Sequence, residues 1–375
     1  MIIASDSPRL AEADRVMEIC NACRYCEGIC ATFQAMASRR SFTNPDLDYL
    51  ANLCHNCTAC FHDCQYAPPH DFNINVPAAL TDLRIETYER YAWPLVLGQL
   101  FHRNGMVTSA VTTLSIIGLM ALSMMLISHD TLFERHTGAG AFYAVIGHGL
   151  MVSVAGGTFG FSLVSMIISL VKFWRTTGSR TGFPATKHIL TAVHDALTLR
   201  YLDGGHGEGC STVDDGFSNQ RRYFHQLTMW GFILCFASTC VATVYDYGFG
   251  IAAPYPIVSL PVLLGTSGGL GLLVGPAGLV WNKVRSDPRP MQRIYHGMDY
   301  AFLASLFLVS LTGLALLALR ETSAMGVALV IHLGFVLGFF LMLPYSKFVH
   351  MVYRFAALVL FAQEKETWGQ SKVPE

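Results

Sequence analysis

From Met106 to Ser128 the chain runs 23 residues without a charged side chain. At 1.5 Å per helical residue this is long enough to cross a hydrocarbon core of about 30 Å. Inside such a core every backbone N–H and C=O must be satisfied within the segment, which makes a helix of it. Comparable stretches follow at roughly 139–171, 224–245, 255–282, 300–319 and 325–346. Apolar residues surround them on all sides rather than forming one stripe, which is how a lipid-embedded helix differs from the helix of a soluble core. The composition agrees: 14% of residues are charged, against roughly 25% in a soluble domain. Six spanning helices are expected.

Lysine and arginine mark the sides of the membrane. Connection 172–225 holds Lys172, Arg175, Arg180, Lys187, Arg200, Arg221 and Arg222, and connection 283–295 holds Lys283, Arg285, Arg289 and Arg293. The segment after the sixth stretch adds Lys347, Arg354, Lys365 and Lys372, whereas the opposite loops hold only Arg135 and Arg320. Cytoplasmic loops carry the basic excess, so both chain ends are expected in the cytoplasm, with the helices in a bacterial inner membrane. A formal net charge of −1 hides this asymmetry, and nothing in it resembles a nucleic-acid surface. The expected division is a soluble domain over 1–95, a six-helix membrane domain over 96–363 with a cytoplasmic loop at about 172–225, and a tail over 364–375.

The soluble end carries a repeated pattern. CNACRYCEGIC places Cys20, Cys23, Cys26 and Cys30 at C-x2-C-x2-C-x3-C, and CHNCTACFHDC repeats the spacing with Cys54, Cys57, Cys60 and Cys64. No basic start followed by an apolar stretch precedes them, so a secreted disulfide framework is disfavoured. Structural zinc takes paired cysteines from two distant places. Three close ligands with a fourth just beyond is the bacterial ferredoxin spacing for [4Fe–4S] clusters, in which the fourth cysteine of each run serves the other cluster. One cluster would then take Cys20, Cys23, Cys26 and Cys64, and the other Cys54, Cys57, Cys60 and Cys30. Ferredoxin runs end in Cys-Pro, but here Ala31 and Gln65 follow. ATFQAMASRRSF and VPAALTDLRIETYERYAW are rich in helix formers with apolar residues three and four apart, so this domain is expected to be helical. With eight cysteines available, His55, His62 and His70 are read as polar residues near the cluster surface.

Histidines inside spanning helices are costly unless they have a role. His332 and His350 lie eighteen residues apart in the sixth stretch, five helical turns and roughly 27 Å along one face, with Pro344 between them. That arrangement suits two stacked b-type haems. Matching depths give the pairs His148 with His332 and His225 with His350, with His296 a competitor at the inner level. Interfacial polar roles are the competing reading. His188 and His194, in the amphipathic TKHILTAVHDALTLRYL, are read as surface or partner-contact residues.

YLANLCHNCTACFHDCQYAPPHDFNINVP, with CNACRYCEGIC, ALTLRYLDGGHGEGC and RRYFHQLTMWGFILCFAST, resembles the tricarballylate-utilisation protein B (citrate-utilisation protein B) family over nearly the whole chain. The membrane half is also similar to the cytochrome b subunit of respiratory nitrate reductase, where a late helix carries two haem-ligating histidines eighteen apart. The resemblance implies a mainly α protein: a helical ferredoxin-like domain with two [4Fe–4S] clusters, then a six-helix cytochrome b-like bundle with b-type haem. It further implies an electron-transfer oxidoreductase component that reoxidises the flavin of a soluble FAD-dependent tricarballylate dehydrogenase and passes electrons to membrane quinone. In the nitrate reductase subunit the partner histidines share one helix, whereas His148 and His225 do not. A haem-free iron–sulfur quinone reductase, a membrane redox sensor and a carboxylate transporter are the alternative readings.

Overall fold

The computed structural model describes residues 7–178, 182–211, 216–291 and 295–371, with side chains as far as residue 368. Arg180, Arg293 and Lys372 of the basic count lie outside the described residues.

The first half of a helical head comprises α1 (Pro8–Cys23), α2 (Ala31–Ala37), α3 (Asn44–Leu53), α4 (Ala59–His62) and α5 (Val76–Tyr91). Helix α3 is its centre. Thr43 caps it through a capping box with Asp46, which satisfies two of the otherwise unpaired backbone donors of the first turn. Leu47, Leu50, Ala51 and Leu53 are wholly buried, and so are the charges among them. Asp48 takes Arg90 at 2.7 Å and the Tyr91 hydroxyl at 2.6 Å.

The membrane half contains α6 (Asn104–Leu126), the short α7 (His129–Phe133) and α8 (Ala141–Val145), then α9 (His148–Thr177). Helix α10 (Thr186–Leu197) and a two-strand pair, β1 (Cys210–Ser211) with β2 (Phe217–Ser218), follow on the head side. Helices α11 (Gln220–Phe249), α12 (Leu260–Arg285), α13 (His296–Leu319) and α14 (Met325–Met342) complete the bundle. Six of these helices are long and apolar enough to cross a membrane, the sixth extending to Tyr345. Met125 and Leu114 on α6 stand 83% and 67% exposed, as side chains that face lipid would. The second span begins later than its apolar run suggests: Ile146 and Gly147 break the chain, and His148 opens α9.

One expectation is corrected. His332 and His350 do not share a helix. Pro344 lacks an N–H and its ring crowds the preceding turn. The chain therefore leaves α14 at Met342, passes through tight turns over 343–345 and 347–349, and starts α15 (His350–Ser371) anew. The five-turn alignment does not apply.

Helix α15 returns to the head instead of continuing the bundle. Ala357 to Phe361 are buried in one core with Leu50, Leu53 and Leu80. Arg39 binds Asp46 at 2.9 Å and also the Glu364 carboxylate, which accepts from the Tyr49 hydroxyl at 3.2 Å. Residues 350–363, grouped with the membrane helices in the sequence reading, thus pack in the head.

Helix α14 crosses α6 at close range through Gly334 and Gly338. A Cβ on either would come within 2.7 Å of the α6 backbone at Ile116 or Thr112. Small residues four apart allow this approach in lipid, where packing rather than the hydrophobic effect holds helices together. Gly338→Leu is expected to destabilise the bundle by roughly 1–3 kcal/mol, the usual cost of overpacking. An unchanged thermal unfolding midpoint in detergent would contradict this contact.

Candidate metal centres

The two cysteine runs fold into tight turns that aim sulfur inward. Cys20 and Cys23 occupy the last turn of α1, which Arg24 ends in the left-handed region at φ 57°. Cys30 caps the N-terminus of α2, and the amides of Thr32 and Phe33 donate to its sulfur. Cys54 ends α3, and its sulfur accepts from the Asn56 amide at 3.3 Å. The amides of Tyr66 and Ala67 donate to Cys64. Gln65, standing where a ferredoxin run has proline, points its side-chain amide at the Cys23 sulfur, 3.8 Å away. Sulfurs ringed by N–H donors suit thiolates that ligate clusters.

The thiols gather across the runs. Burial, then Cys64 and Cys23, pushes Cys20 up to about 12. Cys26 is raised to about 12 by burial and by Cys20, Cys64, Asp63 and Cys23. Cys30 rises to about 12 through burial, Cys57 and Cys54. Cys60 is held well above the ordinary thiol value by burial and by Cys57, Cys54, Cys30 and Cys26. The fourth cysteine of each run therefore sits with the first three of the other. Cys30, Cys54, Cys57 and Cys60 line one cavity of about 330 Å³ of free space. Four buried thiols that raise the cost of one another's ionisation lose that cost when cationic iron neutralises them. Among the described residues no three Cys, His, Asp or Glu side chains converge tightly enough for a single metal ion. Ligands at the corners of a cubane cluster stand farther apart than ligands to one ion.

A ninth cysteine belongs to this site and was not singled out from the sequence. Cys210 is buried with Cys57, Leu199 and Leu202, and its S–H donates to the Cys57 sulfur, which draws Cys57 down to about 6. The segment that brings it there is the glycine-rich LDGGHGEGC. Asp203 gathers this loop through its carbonyl, which accepts from Gly209 at 3.0 Å, and through its carboxylate, which accepts from Gly205 at 3.0 Å. Gly205, at φ 84°, lies so close to the first cysteine run that a Cβ would come within 2.4 Å of the Gly28 carbonyl. The Thr58 hydroxyl donates to the Ser211 carbonyl at 3.2 Å and fastens the far end. A cysteine after four glycines in nine residues was the available signal.

Between this cavity and the membrane lie buried cations and imidazoles. Arg84 donates to the carbonyls of Ala51 and Cys54 at 2.7 and 2.6 Å, and Arg354 to that of Leu53 at 2.7 Å. Both complement the negative end of the α3 dipole. His55 lines the cavity. Burial, then Arg354, His225, Arg221 and Arg84, holds it neutral. His225 and His350 face one another with ring centroids 6.4 Å apart and planes 86° apart. Imidazole nitrogens sit about 2 Å from a metal, so two rings on one iron along a common axis would place their centroids roughly 6 Å apart. The His350 Nδ1–H donates to the Lys347 carbonyl, which leaves Nε2 for a metal. The His225 Nδ1 is buried without a hydrogen-bond partner. This pair fits an axial ligand set.

The other expected pair is not drawn together. His148 Nε2 meets the Asp246 carboxylate at 2.8 Å, with Tyr143 and Tyr247 around its ring. His332 Nδ1 meets the Thr312 hydroxyl at 3.1 Å, and its ring lies over Gly313. The competitor His296 stacks edge-on against Tyr300. His188 binds Glu366 of α15 at 2.6 Å.

Cys57→Ala is expected to lose roughly half of the cluster iron while the spanning helices stay folded, since each run supplies three ligands to one cluster. Full iron retention in that variant contradicts the assignment. Cys210→Ala should keep its iron but lower the midpoint potential of one cluster, because a thiolate relieved of a hydrogen bond stabilises the oxidised state. Redox titration by EPR measures this, and an unmoved potential removes Cys210 from the site.

A family model described as Citrate utilization protein B matches residues 104–370, and one described as Citrate utilization protein B Fer4-like domain matches residues 13–90. Citrate utilization protein B of Escherichia coli is 48% identical over 366 residues, covering 97% of this chain and 94% of that relative. No solved structure matches. With the cysteine-bearing head and the six-helix bundle each matched in its own right, the chain belongs to the citrate utilization protein B family.

Proposed function

We propose that this chain is a membrane electron conduit: it reoxidises the reduced flavin of a soluble dehydrogenase acting on tricarballylate or a related carboxylic acid, and delivers the electrons to the quinone pool. The Escherichia coli relative's name ties it to citrate utilization, which supports a carboxylic acid as the partner's substrate. The observation that carries the reading is the unbroken series of buried groups from thiols to membrane. Cys54 leads to His55, His55 neighbours Arg354 and His225, and His225 faces His350.

Clusters held by Cys20, Cys23, Cys26 and Cys64 and by Cys54, Cys57, Cys60 and Cys30, with a b-type haem between His225 and His350, would supply one-electron chemistry with little rearrangement. The chain's own residues prepare the path. Arg84 and Arg354 offset thiolate charge from the membrane side. The LDGGHGEGC loop keeps water from the second cavity. His350 is held in one tautomer by the Lys347 carbonyl, and lies one turn from Arg354, so that one face of α15 meets both sites. The basic residues of the head-side connections support a cytoplasmic head.

Anaerobically purified protein should show two [4Fe–4S] clusters by EPR and a haem α-band in the pyridine haemochrome spectrum. His350→Ala should lose the band and keep both clusters. A wild-type protein with clusters and no band leaves the haem-free quinone reductase. Membranes supplied with reduced flavoprotein should form quinol, and a failure to do so ends the proposal.

A further inference from the structure

A second cavity lies beside the first, at the membrane boundary. It holds about 420 Å³ of free space, within the roughly 300–1,000 Å³ usual for small-molecule sites. Three lining residues fix its depth. Lys283 is in the last turn of α12, Asp299 is in the first turn of α13, and Lys347 follows the end of the sixth span. Asn56, which stands between Cys54 and Cys57, lines both cavities. Lys347 also touches the proposed haem ligand, since its carbonyl holds His350 Nδ1.

The chemistry of the lining narrows the occupant. Both ammonium groups bind the one carboxylate of Asp299. Each ammonium carries three N–H donors, so donors remain on both after that pairing. A free anion would have to displace Asp299, whereas a neutral acceptor needs only the spare donors. Two further polar atoms, Asn56 Oδ1 and Thr81 Oγ1, are buried there without hydrogen-bond partners. The remaining wall includes the apolar Ile85 and Met298. A ligand that accepts from lysine in one state and donates to an amide and a hydroxyl in another, with a flat apolar body, is a quinone.

We propose that this cavity binds the head of a membrane quinone, with Lys283 and Lys347 donating to its carbonyl oxygens and Asn56 and Thr81 accepting from its hydroxyls after reduction. The assignment rests on the function proposed above and gives it a place. The reaction balances as one quinone, two electrons and two protons giving one quinol. The electrons originate on the partner's reduced flavin, cross the iron centres singly, and leave them oxidised again. The protons come from the Lys283 and Lys347 ammonium groups, which take replacements from water on the head side. An isoprenoid tail can remain in the bilayer, because the cavity opens at the level where α12 ends and α13 begins.

The test uses the full chain in detergent with its clusters loaded, and short-chain benzoquinone and naphthoquinone analogues as probes. Quenching of tryptophan fluorescence reads binding, quinol formation by the dithionite-reduced protein reads turnover, and ferricyanide reduction reads the clusters alone. Thr81→Val and Lys283→Gln should each weaken binding roughly tenfold or more, the size of a lost hydrogen bond to a charged or buried partner, and raise KM for quinone. Iron content and ferricyanide rate should match the wild type. If the wild type binds and reduces quinone and both variants match it, the cavity is overturned and the conduit stands. If the wild type reduces ferricyanide but neither binds nor reduces quinone, the conduit reading fails, and the cavity assignment with it. Should Lys283→Gln not fold, the near-isosteric Thr81→Val decides alone.

Discussion

Arg354 donates to the Leu53 carbonyl across 301 residues of sequence, and much of the molecule's organisation passes through that bond. The guanidinium sits at the end of α3, where helix carbonyls lack partners and the second cysteine run begins. Burying a cation there is costly without compensation. The helix terminus and the nearby Cys54, Cys30 and Cys57 provide it. Since Arg354 lies one turn from His350, the contact that offsets the charge of the head also sets the imidazole at the membrane edge. Head and bundle are thereby held in a fixed relation without a large interface.

The thiols impose the second constraint. They are packed so that each opposes its neighbours' ionisation, and hydrogen-bond donors converge on them from backbone amides, Gln65 and Cys210. Such a site is strained without cations and relieved by them. The Cys210 loop differs from the runs in kind: it comes from the membrane half of the sequence and closes over a cavity made by the soluble half. Each half therefore lacks something that the other supplies.

How far the sequence was legible follows from the range of the interactions. The cysteine spacing is local, and the cross-run grouping could be read from it. Uncharged runs long enough for lipid are local too, and all six spanning helices were legible. Helix ends were less so, because Ile146 and Gly147 interrupt a run whose apolar composition continues. The eighteen-residue spacing of His332 and His350 was misleading, since Pro344 resets the helix between them. His225 and His350 meet as expected, but His148 finds Asp246, a partner decided by how α9 crosses α11. Nothing local distinguishes a histidine facing an aspartate from one facing a histidine. Cys210 escaped notice for the same reason, being 153 residues from the cysteine it touches.

The return of α15 has a consequence for biogenesis. A ribosome makes the cysteine runs first, yet the head's core lacks Ala357 to Phe361, and Arg39 lacks Glu364, until nearly the whole chain has emerged. Early domains commonly fold as they appear, but this one is kept unfinished while six helices enter the bilayer. Iron loading and membrane insertion are thus placed in a sequence, so that a chain stalled before its last helix leaves its metal sites exposed and open to quality control.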